Sequence, residues 1–355
     1  MSGPLNKQNN IKDFTLDELE QLVVSLGMPK YRAVQTIDWM HRKGAGSFDE
    51  MSNMPKETRQ KLGDLFSPGG LNLLQKKVST NNEAVKLLFE LYDGQVVESV
   101  LMKYSYGYAA CLSVQVGCRM GCIFCASALN GWERNLTPGE LIDQLIGMQK
   151  FARERIGHVV LMGTGEPLDN FAGVTKFLSL VSAPYGLNIS QRRITLSTCG
   201  IVPRINELMR LHLGITMAVS LHAPNDALRS QLMPVNRVYP LSALLPACRE
   251  YAKETGRRIT FEYALLQGVN DASAQAVELT EVLRGIHCHI NLIPANPVVE
   301  KNLCGSEVAR VKSFQEILEK AGYPVTIRRS LGLDIDGACG QLRIKAKNNK
   351  HRFVK

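Results

Sequence analysis

From residue 111 almost to its end the chain alternates short β-branched runs with amphipathic stretches, and this alternation restricts the fold more than any other feature. Strands are predicted over 111–116, 158–162, 193–197, 216–221, 258–265, 289–293 and 325–329. Between them, helices are predicted over 138–155, 172–181, 203–211, 241–254, 272–284 and 308–321. A parallel neighbour can be reached only by a connection long enough to hold a helix, so the pattern implies parallel strands with crossover helices. The fold class is therefore α/β, either an open doubly wound sheet or a full or partial barrel. In each of these, ligands collect at the C-terminal ends of the strands.

Upstream the pattern differs. Residues 14–26, 31–40 and 54–65 carry apolar side chains at helical spacing, and residues 1–84 read as a small helical domain. Strand-like runs over 85–92 and 96–104, with Asp93-Gly94 between them, predict a β-hairpin that fills a linker over 85–110. The core then spans 111–342, and a tail over 343–355 holds six Lys/Arg and no acid. That tail reads equally as an arm for phosphate or as a solubilising end.

Composition bounds the function. With 355 residues, 45% apolar and 21% charged, the chain can bury a real core, which excludes wholesale disorder and fibrous repeats. No apolar run approaches the roughly 18 to 20 residues of a membrane helix, and the polar start lacks the blocks of a secretion signal, so a cytoplasmic protein is expected. The 42 Lys+Arg against 33 Asp+Glu suit a polyanionic partner without identifying one. Nine cysteines in such a chain point to metal or redox chemistry rather than to a disulfide framework.

Their spacing narrows the choice. Cys118, Cys122 and Cys125 form C-x3-C-x2-C directly after a predicted strand. A structural zinc site wants four ligands, usually as two C-x2-C pairs, which this chain does not offer. Three thiolates on an iron-sulfur cluster leave one iron open to a substrate or cofactor. Gly163 to Pro167, short and glycine-rich after a strand, lets backbone approach a ligand closely, although a tight strand-to-helix turn explains it as well. Cys339, in the small-residue stretch Ile335-Asp-Gly-Ala-Cys-Gly-Gln after the last strand, is a candidate nucleophile. Cys111 could face the same barrel mouth, but a small buried hydrophobe is its ordinary reading, as it is for Cys248 and Cys288. Cys199 and Cys304 receive no function. Glu98, within Val96 to Val100, reads as a solvent-facing strand residue.

The C-x3-C-x2-C loop with Phe124 before its last cysteine resembles the radical S-adenosylmethionine (SAM) superfamily. Met162-Gly-Thr-Gly-Glu-Pro, Ile194-Thr-Leu-Ser-Thr-Cys-Gly, Ser220-Leu-His-Ala-Pro-Asn, Asn291-Leu-Ile-Pro-Ala-Asn-Pro and Asp334-Ile-Asp-Gly-Ala-Cys-Gly-Gln-Leu sharpen the likeness. Together they are similar, in order and over nearly the whole chain, to the dual-specificity RNA adenine C2 methyltransferases of that superfamily. The resemblance implies a partial (β/α)6 barrel, with a [4Fe-4S] cluster on Cys118, Cys122 and Cys125. It implies SAM against Gly165, Glu166, Ser197, Ser220, Leu221, His222 and Asn296, with the Glu166 carboxylate fixing the SAM ammonium. The family more often has Met where Thr164 stands and Ser where Cys199 stands.

The implied cycle uses two SAM molecules. One methylates Cys339; the other, reduced by one electron on the open iron, yields a 5′-deoxyadenosyl radical that takes hydrogen from the Cys339 methyl. The methylene radical adds to adenine C2, a carbon that ordinary polar methyl transfer cannot reach. Glu98 accepts a proton, and Cys111 frees the product by forming a transient disulfide. The implied partners are 23S rRNA, tRNA anticodon loops and a low-potential electron donor such as flavodoxin or ferredoxin, with the target base unstacked. Two rivals stand beside this reading: a sister group that methylates adenine C8 and confers antibiotic resistance, and a non-catalytic, zinc-stabilised RNA-binding protein.

Overall fold

The computed structural model describes residues 9–296, 298 and 303–342, so the basic tail over 343–355 lies outside the described residues. The chain opens with helices α1 (Leu16–Ser25), α2 (Tyr31–Ile37) and α3 (Lys56–Leu65). A Thr15/Glu18 capping box starts α1, satisfying backbone donors that a helix end otherwise leaves open. The apolar faces of these helices bury one another around Leu19, Val23, Ile37, Met40, Leu62 and Phe66. This layer is sewn to the rest by buried polar contacts. Lys12 Nζ lies 2.8 Å from Asp143 Oδ1, while Asn10 Nδ2 and the Gly70 amide donate to Asp143 Oδ2 at 2.7 and 2.8 Å.

Strands β1 (Asn72–Val78), β2 (Ala84–Glu90), β3 (Val96–Tyr104) and β4 (Gly107–Cys111) follow as an antiparallel ladder. The predicted hairpin is β2 and β3. Strand β1 falls where the sequence reads as helical: it is an almost wholly exposed edge strand, so no buried face prints a period of two on it, and Lys76 and Lys77 charge the edge. The strand predicted over 111–116 is in fact two. β4 ends at Cys111, and β5 (Gln115–Gly117) pairs with β6 (Trp132–Asn135) in a separate small sheet. The chain leaves the main sheet at residues 112–114 because the Val114 amide turns to the Thr164 carbonyl at 2.9 Å.

Thereafter strands and helices alternate as predicted except for one added helix, α7, which the sequence reading left out: α4 (Pro138–Ala152), β7 (Ile156–Leu161), α5 (Phe171–Ser182), β8 (Ile194–Thr198), α6 (Val202–Arg210), β9 (Thr216–Ser220), α7 (Asp226–Leu232), α8 (Leu241–Thr255), β10 (Ile259–Leu265), α9 (Ser273–Val282), β11 (Cys288–Pro294), α10 (Val308–Lys320) and β12 (Val325–Ile327). From β4 through β7 to β12 each strand is parallel to its neighbour. Six strand-helix units thus build a partial (β/α)6 barrel whose sheet ends at β12 without pairing back to the first strands. The main core, including Leu161, Phe177, Leu196, Val219, Phe261 and Leu292, lies between sheet and helices. Among the described residues no helix is long and apolar enough to cross a membrane.

Candidate active site

The thiol loop begins where β5 ends, and two glycines shape its approach. Gly117 has φ +76°, and a Cβ there would stand 1.9 Å from the Gly131 carbonyl oxygen, so the outgoing and returning strands can cross only at glycine. The Cys118 amide then donates to that same carbonyl at 2.8 Å. Farther along, the Ile123 amide donates to Leu232 and the Ala126 amide to Gly340, at 3.0 and 2.7 Å. The loop is therefore fixed to α7 on one side and to the C-terminal segment on the other.

Cys118, Cys122 and Cys125 line one cavity at the C-terminal ends of the parallel strands, together with Gly165, Glu166 and Ser197. Burial pushes the Cys118 thiol up to about 12 and raises Cys122 and Cys125 as well. Thiols so placed are poor acids until a cation pays for the charge. Among the described residues, no three His, Cys, Asp or Glu side chains close on a point that would hold a single metal ion. Three thiols from one loop on one cavity wall are a ligand short of a closed tetrahedral zinc site but suffice for a cluster that keeps one iron open, so the donor set fits the cluster its spacing suggests.

The next strand end forms the opposite wall. Gly163 and Gly165 are required by space: a Cβ at Gly163 would meet the Leu112 carbonyl at 2.5 Å, and one at Gly165, where φ is +107°, would meet Gln115 Cβ at 2.6 Å. Glu166 is buried and already holds two backbone donors, Leu168 N at 2.9 Å and Cys199 N at 2.8 Å, so it ties the end of β8 to its own loop while lining the cavity. Burial raises its pKa. A carboxylate with that cost and a cavity beside it is suited to a cationic ligand group such as the SAM ammonium. Ser220, His222 and Asn296 also line the cavity. His222 takes φ +58°; its Nδ1 accepts from the Ala264 amide at 2.9 Å, its ring packs edge-on against Phe124, and burial lowers its pKa to about 3, keeping it neutral. Leu221 is different: its side chain is fully buried in the main core, not in the cavity wall.

Cys339 lines this cavity and also a second one, which it shares with Cys111, Val100 and Met102. The two thiols thus face one space. Cys111, at the end of β4, is buried and pushed up to about 12, first by burial and then by Cys339. Asn296 Nδ2 donates to the Cys339 carbonyl at 2.9 Å, so a residue expected at the SAM site also holds the Cys339 segment. Glu98 is not solvent-facing. It is buried in β3, its Oε1 lies 3.1 Å from Lys86 Nζ, and it stands two residues from Val100 on the same strand face rather than in the cavity wall.

Two arginines escape sequence reading. Arg229 on α7 is fully buried and donates to the carbonyls of Cys199, Ser220 and Leu221 at 2.8, 3.0 and 3.2 Å, pinning the ends of β8 and β9. Arg328, just past β12, lines both cavities and lies 3.2 Å from Met162 Sδ. The neighbouring Cys339 first, then Glu262 and Cys111, outweigh burial and raise the pKa of its guanidinium. Neither carries a local sequence signal: Arg229 stands among the polar residues of α7 and Arg328 is followed by a second arginine.

Residues 112–280 match the family model of the Radical SAM superfamily, and residues 9–67 match that of the ribosomal RNA large subunit methyltransferase N-terminal domain. Over 337 residues the chain is 56% identical to a probable dual-specificity RNA methyltransferase RlmN of Pelotomaculum thermopropionicum, which covers 95% of this chain and 92% of the relative. Its counterpart in Desulforamulus reducens is 52% identical over 95% of this chain and 97% of its own. The crystal structure of a radical SAM methyltransferase from Sphaerobacter thermophilus superposes with a TM-score of 0.92 at 43% identity, covering 94% of this chain and 99% of that one.

Proposed function

The chain belongs to the radical SAM superfamily and, within it, to the RlmN dual-specificity RNA methyltransferases, and from that membership we propose that it methylates C2 of an adenine in 23S rRNA and in tRNA anticodon loops. Its cofactors are a [4Fe-4S] cluster and SAM. The setting is cytoplasmic, with a small low-potential electron carrier of the flavodoxin or ferredoxin kind as reductant. The observation that carries the reading is that Cys111 and Cys339 line one cavity, while Cys339 also lines the cavity of the three cluster cysteines.

Cys118, Cys122 and Cys125 would hold the cluster through three thiolates, leaving one iron for SAM. When bound, cluster and SAM supply the methyl group and a hydrogen-abstracting radical. The remaining work falls to the chain's own residues. Glu166, Ser197, Ser220, His222 and Asn296 orient the cofactor, and the glycines at 163 and 165 let backbone come close. Cys339 carries the methyl carbon to the base. Glu98, buried two residues along β3 from the cavity-lining Val100, would be the acceptor of the proton that leaves C2 once the base is seated. The unpaired electron left on the adduct would pass back to the cluster; Cys111 then attacks the Cys339 sulfur, the carbon-sulfur bond breaks with its electron pair left on the carbon, which takes up a proton to become the methyl group, a disulfide forms, and two electrons from outside restore both thiols. Lys and Arg side chains, in excess over acids by nine, hold the RNA phosphates.

Mass spectrometry of nucleosides from RNA treated with anaerobically reconstituted protein, SAM and reductant tests this directly. The expected product is 2-methyladenosine. Methyl at C8, or unmodified RNA with an intact cluster, would overturn the assignment.

A further inference from the structure

The segment that carries Cys339 contains one regular turn, a 3-10 turn at Leu333–Ile335, and three residues in the left-handed region: Gly332, Asp336 and Gly340. For the non-glycine Asp336, at φ +52°, that conformation is uncommon and persists only where surrounding contacts enforce it. Those contacts come from two sides. On the cluster side, the Ala126 amide donates to Gly340 and Ser127 Oγ to Leu342, at 2.7 and 2.8 Å. On the other side, ties start in the first hairpin. The Thr80 amide and hydroxyl donate to Asp334 Oδ2 at 2.7 and 2.6 Å, Glu83 pairs with Arg329, and Lys86 Nζ donates to the Asp336 carbonyl at 3.1 Å.

Lys86 is the buried member of this set. In the β2–β3 register Lys86 lies opposite Val100 and Leu88 opposite Glu98, so Lys86 and Glu98 are diagonal neighbours on one sheet face. The two side chains are 9% and 6% exposed. An ammonium taken out of water needs both a counter-charge and further acceptors. Glu98 supplies the first, and the Asp336 carbonyl, three residues before Cys339, supplies another. One cation therefore touches both the carboxylate read as the proton acceptor and the backbone that aims the methyl-carrying thiol.

We propose that Lys86 is a positioning residue which clamps the Cys339 segment onto the β2–β3 hairpin and fixes the Glu98 carboxylate beneath it. The hairpin, which contributes nothing to the parallel barrel, is on this account the support of the catalytic thiol. Its importance for turnover rests on the reading above that Cys339 carries the methyl group; the clamp itself does not.

The test uses the full chain with its cluster reconstituted, in the forms Lys86→Met, Lys86→Arg and Lys86→Met/Glu98→Gln. The iodoacetamide labelling rate of each cysteine is followed by mass spectrometry, alongside iron content. Lys86→Met should label Cys339 about tenfold faster than the parent, reporting local opening of the segment, with Cys248 in the core unchanged. Lys86→Arg, which keeps charge and donors, should return the rate to near the parent value. The double variant, which leaves no buried carboxylate without its counter-charge, should label as fast as Lys86→Met and decides the matter if the single variant fails to fold. Parent-like labelling of Cys339 in the double variant would overturn the clamp, as would an equal rise at Cys248, which marks general loosening. A parent protein that labels as expected but gives no 2-methyladenosine would instead refute the assigned reaction and leave the clamp standing.

Discussion

Cys111 and Cys339 share a cavity, yet the surroundings of Cys111 make it an unready nucleophile. With its pKa pushed up to about 12, Cys111 holds its proton at pH 8 far more firmly than an ordinary cysteine. Arg328, in the wall of both cavities, is the cation that favours the thiolate. Cys111→Ala should therefore accumulate RNA crosslinked through Cys339 in a SAM- and reductant-dependent way, and Cys339→Ala should give no adduct. Arg328→Met should show a weaker version of the Cys111→Ala result, with adduct that clears faster as pH rises. Denaturing gels with labelled RNA read all three, and an adduct that persists in the Cys111→Ala/Cys339→Ala double variant would refute the assignment. The cluster ligands allow a cruder check: alanine at Cys118, Cys122 or Cys125 leaves two thiolates, and iron content should fall to background in each. That Cys118, Cys122 and Cys125 would share one cavity was legible in their local spacing. Arg229, Arg328 and Lys86 were not, because their partners lie on other strands and loops, and only the folded register reveals what a buried cation touches.

Elements rather than single side chains give the site its shape, and two substitutions separate the roles. Gly165 sits at φ +107° with the Gln115 side chain where a Cβ would go, so Gly165→Ala should cost about 1 to 3 kcal/mol in backbone strain and displace Glu166. Equilibrium dialysis should show SAM affinity lost well before the melting temperature has fallen to a comparable extent. Arg229→Met leaves three strand-end carbonyls without their donor, and at about 1 to 3 kcal/mol for each unsatisfied group the loss should exceed 3 kcal/mol in denaturant unfolding. Arg229→Lys should recover only part of it, since an ammonium cannot reproduce the fork. At this scale the sequence was most informative where burial is one-sided. The barrel strands and helices fall close to their predicted spans because each turns one face to the core. β1 escaped since it buries neither face, and the break after β4 escaped since Leu112 to Val114 are as buried as a strand while the Ser113 amide has turned to Gln144 on α4 and the Val114 amide to Thr164.

The molecule as a whole depends on a helical layer docked onto α4 through buried polar contacts, and that seam should respond to acid. His41 lies inside this layer with neither ring nitrogen hydrogen-bonded to a described residue, and burial, aided by the Lys12 charge, lowers its pKa to about 3 from an ordinary 6.5. The sign follows from linkage: between those values the unfolded chain binds a proton that the folded chain refuses. Stability is then fully present above about pH 6.5 and is lost as pH falls toward 3, by about 1.4 kcal/mol per pH unit for one such group. His222, lowered to about 3 by burial in the barrel, adds a second proton over the same window. His41→Leu removes the first contribution without creating an orphaned polar group, because His41 had no hydrogen-bond partner among the described residues to lose. The difference in unfolding free energy between His41→Leu and the parent should therefore grow in favour of the variant by about 1.4 kcal/mol per unit between pH 5.5 and 4, where any acid loss of the cluster affects both proteins alike. Urea titrations at three pH values in that range would measure it, and a difference independent of pH would mean that His41 is protonated in the folded layer after all.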